Sequence, residues 1–261
     1  MRVTVDKSFL QGAPTDAVRL LCTTHQVFLP EAAFWELLTA APEERAACFR
    51  KLPSGPGAIH LTTNSGVLMR AECQNRTPCD LIRDSGMPAP YQLNPRLGDP
   101  AFQPEPNDLS TLDEWSRFMA GEVESFKVRA AVVGAFAPEL AEIKAGGSRD
   151  VVQSVLDRLA GDSSRVIEIY GELRTDDFPP RDIISSSWAV YRTLQVHLLA
   201  AVEYVRRYGS GVADVRANRV DNDVIDMEYC ILGSLTGTLA TRDAGLAQLF
   251  RLARPDGVVL Q

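Results

Sequence analysis

The chain has 261 residues, 45% of them hydrophobic and 23% charged, which suits a globular protein with one large core and excludes a disordered, collagen-like or tandem-repeat chain. A formal charge of -7 leaves no overall basic footprint for nucleic acid, so any such binding has to come from a local patch or a bound cation. Five cysteines without a CxxC pair suit a reducing compartment and core positions; with no leader pattern and no apolar run of about 18 residues, the chain reads as cytoplasmic, with no membrane partner.

Arg2 to Val5 reads as a short strand that ends on Asp6. Residues 16–24 place apolar side chains at helical spacing, and residues 27–29 form a second strand. Pro30 suits a first helical position, where its missing N–H costs nothing, so PEAAFWELLTAA is predicted to start a helix there. At the other end, 221–235 reads as a helix, 238–243 as a strand, 244–253 as a helix and GVVLQ as a last strand. Short strands alternating with helices imply a parallel sheet with crossover connections, and both chain ends then belong to one α/β unit. Val3 to Val5 is expected to be a central strand lying parallel to Leu239 to Thr241.

The middle differs. Asn75 to Asp108 is too dense in proline for helix or central strand and reads as an extended excursion. Residues 111–136, 148–160 and 179–209 then read as helices, the last apolar around most of its circumference and closed by Arg206 and Arg207. The expected architecture is a single α/β domain of three α/β/α layers with a short central parallel sheet. Its core is 1–52 and 182–261, with a large, mostly helical insertion over about 53–181 made of the excursion 75–108 and helices within 110–174.

Acids recur at comparable places: Asp6 after the first strand, Glu36 in the second helix, Asp223 and Asp226 at the start of a late helix, and Asp243 after TLATR. Each has a structural alternative. Asp6 and Asp243 can cap turns or helices, Asp223 and Asp226 sit where a helix dipole favours negative charge, and Glu36 lies off the Phe34 and Leu38 stripe. Ligands bind at the carboxyl ends of parallel strands, however, so Asp6 and Asp243 can meet on one edge of the sheet. Asp223 and Asp226 share a helix face above the small residues Cys230 and Ser234, while Val224, Ile225, Tyr229 and Leu232 cover the rest.

The stretches VTVDKSFL, LPEAAFWELL, NDVIDMEYCILGSL and TLATRDAGL, in this order, resemble the PIN-domain family of metal-dependent nucleases over about the first 40 and last 45 residues. The resemblance implies acids gathered at one end of a short parallel sheet to bind Mg²⁺ or Mn²⁺ and cleave single-stranded RNA. It assigns catalytic and metal-binding roles to Asp6, Glu36, Asp226 and Asp243, makes Asp223 a further ligand, and gives Ser8 and Thr241 supporting hydroxyls. Toxin-type or defence-related members are included, so an antitoxin or other protein partner and a homodimer enter as expectations. The insertion is much larger than in small toxin-type members.

The chemistry is coherent. Two carboxylates about 4 Å apart at an effective dielectric near 20 repel by roughly 4 kcal/mol, so a gathered set demands a divalent cation or protonation. Oxygen ligands without thiolate or imidazole favour Mg²⁺ or Mn²⁺ over zinc. His25, His60 and His197 show no paired spacing, the P-loop and GxSxG patterns are missing, and Ser8 stands where a haloacid-dehalogenase-type phosphatase needs its second Asp. The rival function is a non-catalytic PIN-like module that binds RNA or protein. Arg70, Arg76, Arg83 and Arg96, in or beside the proline-rich excursion, are candidate RNA contacts.

Overall fold

Strand β1 (Arg2–Val5) lies at the centre of a parallel sheet, flanked by β2 (Gln26–Pro30) and β4 (Thr238–Ala240), with β3 (His60–Thr62) and β5 (Val258–Leu260) outside them. The computed structural model describes residues 1–87, 90–131, 136–137, 140, 149–209, 215 and 220–261, with backbone only at 107, 108 and 131. The strand order β3-β2-β1-β4-β5 is as expected for the two ends: Thr4 pairs with Phe28 on one side and Leu239 on the other. Val3, Thr4 and Val5 are all buried, which requires cover on both faces of the strand and accounts for the three-layer α/β/α arrangement.

Helices follow from local signals where those exist. Asp6 caps α1 (Lys7–Gly12), Asn64 caps α5 (Ser65–Asn75) and Asp243 caps α11 (Ala244–Ala253), each side chain accepting from a backbone N–H three residues on. Pro42 opens α4 (Pro42–Phe49), with Glu43 and Glu44 in its first turn, where the dipole favours them. The amphipathic α2 (Thr15–Thr24) buries Val18 and Leu21, and α3 (Glu31–Thr39) buries Ala33 and Leu37. The middle of the chain supplies α6 (Pro106–Ala131), α7 (Arg149–Leu159) and α8 (Ser164–Leu173). The expected end of the first of these, 132–135, lies outside the described residues, as do 141–148. Next come α9 (Ala189–Tyr208) and α10 (Asp221–Thr236); α10 packs on β1 and β4, and α9 packs on α10.

Several boundaries differ from expectation. The last residue of β2 is Pro30, paired with Thr62, and α3 starts one residue later. β4 stops at Ala240, because Thr241 turns its hydroxyl to Asp6 and Asp243 begins the next helix. β3 and α5 both fall within 53–181, so the sheet takes its edge strand from that stretch.

The long helix begins at Ala189, ten residues after the expected start at Pro179, following a 3₁₀ turn over Arg181–Ile183. Its opening N–H groups are met by Glu72 of α5. Glu72 Oε1 accepts from Ala189 N at 2.6 Å and Oε2 from Val190 N at 2.9 Å. A cap supplied from more than a hundred residues earlier fixes where this helix starts.

Candidate metal centre

β1 and β4 are neighbours whose onward connections run to opposite edges of the sheet, and a crevice at such a switch point is where parallel sheets bind ligands. Asp6 leaves the end of β1 there, and Thr241 to Asp243 leave the end of β4. Asp6 is almost wholly buried. Its Oδ1 caps α1 through Phe9 N at 2.7 Å, and its Oδ2 accepts from Thr241 Oγ1 at 2.6 Å. Ser8 Oγ donates to the same carboxylate at 2.8 Å and accepts from Arg242 N at 2.9 Å, which ties the β1 and β4 exits together. Thr241 Oγ1 also accepts from Asp243 N at 3.0 Å, and Asp243 Oδ1 from Leu246 N at 2.8 Å. The capping role that the sequence allowed for Asp6 and Asp243 is thus real, and it orients both carboxylates.

The other acids come from helices. Glu36 of α3 is mostly buried, takes a short hydrogen bond from Tyr229 Oη of α10, and lies 3.9 Å from Lys7 Nζ. Asp223 receives a short hydrogen bond from Tyr204 Oη of α9. Among the described residues, Asp226 has no hydrogen-bond or ion-pair partner. Burial pushes its carboxyl up to about 8, aided by repulsion from Asp243, Asp223, Asp6 and Glu36 in that order. Burial likewise raises Asp6, against the hydrogen bonds from Thr241, Phe9 and Ser8, and raises Glu36, against Tyr229 and Lys7.

The structure therefore brings the other four predicted acids within electrostatic reach of Asp226 and places Ser8 and Thr241 against Asp6. Among the described residues, however, no three His, Cys, Asp or Glu side chains are arranged to hold a metal ion. Asp6, Glu36, Asp223 and Asp243 are each turned to a hydrogen-bond donor of their own. In kind, the donor set fits a hard divalent cation: carboxylates and hydroxyls, gathered around an Asp226 carboxyl that burial and its acidic neighbours keep protonated in the absence of a cation. Cys230, one turn below Asp226, is buried and its thiol is pushed up by desolvation. Two of the three histidines make ring contacts, His60 stacking on Phe28 and His197 lying edge-on to Phe126.

Sequence reasoning missed Lys7, Tyr204 and Tyr229. Lys7 directly follows Asp6, and Tyr229 lies three residues from Asp226 on the same helix, so proximity was a signal for both. Tyr204 gave no such signal. The candidate RNA arginines have separate surroundings. Arg83 is ion-paired to Asp84 at 2.8 Å, Arg76 donates to the Asp176 carbonyl and Arg96 lies over the Phe102 ring; Arg70 is exposed on α5. Comparison of the chain with protein-family models, curated proteins and solved structures finds no match.

Proposed function

We propose that this protein is a divalent-metal-dependent phosphodiester hydrolase of PIN-like type, acting on single-stranded RNA. The observation that carries the proposal is Asp226: a half-buried carboxyl without a partner, repelled by four other acids at the switch point of a parallel sheet. A carboxyl that gathers acidic neighbours and holds a proton for want of any other counter-charge is a place where a divalent cation can take the proton's role. Asp226 and Asp243 would hold it together with Asp6, and with Glu36 and Asp223 after small side-chain rotations away from their tyrosines. Held by these residues, a Mg²⁺ or Mn²⁺ ion would supply positive charge for a phosphodiester and would lower the pKa of a water.

The chain's own residues do the rest. Thr241, Ser8 and the Phe9 N–H fix the Asp6 carboxylate in one orientation, so its position is set before any ligand arrives. Tyr229 and Lys7 hold Glu36, and Tyr204 holds Asp223, leaving Asp226 as the group whose charge state responds to a cation. RNA as the substrate class rests on the resemblance of VTVDKSFL, NDVIDMEYCILGSL and TLATRDAGL to the PIN-domain family.

The test is cleavage of a labelled single-stranded RNA by purified protein with Mg²⁺, with Mn²⁺ and with excess chelator, alongside Asp226→Asn. Metal-dependent cleavage lost in the variant is expected. Cleavage that persists in chelator overturns the proposal, and RNA binding without cleavage in any metal favours the non-catalytic module.

A further inference from the structure

Beside the carboxylates, α7, α9, α10 and α11 enclose a cleft of about 230 Å³. Asp223, Asp226 and Asp243 line one part of it, and Leu156, Leu199, Leu249 and Leu252 line another. Leu249 and Leu252 remain partly exposed, so they present apolar surface to an open cavity. Arg207 also lines the cleft and brings a positive charge, its Nε held by Glu203 Oε1 at 3.0 Å. Gln248 on α11 is exposed, lines the cleft and has no hydrogen-bond partner among the described residues.

These features describe a small amphipathic occupant. The volume is below the roughly 300–1,000 Å³ of sites for drug-sized ligands, so it suits one ring system and no stacked pair. Leucine walls suit flat apolar faces. An unpaired amide suits a polar edge, because it offers both a donor and an acceptor. A nucleobase splayed out of a single strand has this combination of apolar faces and polar edge.

We propose that this cleft is a nucleobase subsite, holding one base of the substrate strand next to the phosphate at the carboxylates, with Leu249 and Leu252 against its face and Gln248 reading its edge. The proposal rests on the nuclease reading above and adds to it a reason for single-strand specificity: a paired base cannot enter.

The experiment measures binding of the four 5′-ribonucleoside monophosphates and of ribose 5-phosphate to the full chain in Mn²⁺ by calorimetry. At least one nucleotide should bind about tenfold more tightly than ribose 5-phosphate, from the apolar base face buried against the leucines. Leu249→Trp, which fills the cleft, should remove that advantage while leaving ribose 5-phosphate and Mn²⁺ binding unchanged. Gln248→Ala, an exposed substitution that keeps the test open if the tryptophan variant fails to fold, should change the ranking among bases by about tenfold. Equal binding of nucleotides and ribose 5-phosphate overturns the subsite, as does an unaltered advantage in folded Leu249→Trp or an unaltered ranking in Gln248→Ala. Because binding is read separately from cleavage, a protein that binds bases but cuts nothing fails the nuclease reading alone. One that cuts RNA without base-dependent binding fails the subsite alone.

Discussion

Two buried acids on α10 and α5 contrast with a third on α10. Glu228 accepts from Ser65 Oγ at 2.6 Å and from Ser65 N at 3.0 Å, pinning the start of α5. Glu72, wholly buried, accepts from Cys79 N, Ala189 N and Val190 N and opens α9. Asp226, only two residues before Glu228 and so about 200° round the helix, has no donor and four acidic neighbours. The same functional group is structural on one side of α10 and unsatisfied on the other. Burial alone therefore does not tell these three acids apart. What separates Asp226 from Glu72 and Glu228 is whether the fold supplies donors to the carboxylate.

Removing a satisfied acid should cost the most. Glu72→Ala leaves three N–H groups without their acceptor, and a loss of about 3–5 kcal/mol in denaturant unfolding is expected. A loss below 1 kcal/mol would break the contrast by making Glu72 dispensable.

Removing the unsatisfied acid should have the opposite sign. The folded-state pKa of Asp226 is raised from 3.8 to about 8, so the folded protein binds the extra proton. The stability this gives is full below pH 4 and is lost as pH rises through 8. Metal-free Asp226→Asn escapes that loss and should exceed the parent by about 2–3 kcal/mol at pH 9, with no gain at pH 4; solvent relaxation keeps the gain below full linkage. A destabilised variant at pH 9 would place Asp226 with Glu72.

Metal addition sharpens the same distinction. Saturating Mn²⁺ at about 100 times its dissociation constant should stabilise the parent by about 2.7 kcal/mol, and chelator should reverse it. The thermal shift should be absent in Asp226→Asn and retained in a folded Glu228→Gln. The smallest effect belongs to Asp243→Ala. It loses the cap on Leu246 N, worth about 1 kcal/mol, and relieves repulsion on Asp226, so metal-free stability should change by less than about 1 kcal/mol. A large change in either direction would show that capping or repulsion acts alone.

An ionisable group away from the site provides a control. His197, partly buried on α9, is held down to about 3 by desolvation, with Arg129 adding to the effect. Its contribution to stability is present above pH 6.5 and declines as pH falls toward 3.

The acids at strand ends were legible because their positions are local facts: Asp6 follows a four-residue strand and Asp243 follows TLATR. The pairing of β1 with β4 followed from the alternation of short strands and helices at the two ends, as did the parallel sheet. The start of α9 was not legible, since Trp188 provides no side-chain cap and Pro179 supplies a misleading local start signal. β3 was missed because His60–Thr62 is three residues long, too short to display a period. Asn64 and Pro42 did carry helix-start signals for α5 and α4, which the sequence reading passed over.

By itself the sequence determined the periodicities, the alternation of short strands with helices at the two ends and the identity of the five acids, because each depends on neighbours a few residues away. Only the tertiary structure decided which carboxylates are satisfied. Tyr229 meets Glu36 across 193 residues, Thr241 meets Asp6 across 235 and Glu72 meets Ala189 across 117, and Asp226 is left without a donor. A carboxylate's charge state depends on the donors and charges within a few ångströms, and folding assembles those from segments whose separation in sequence carries no record of it.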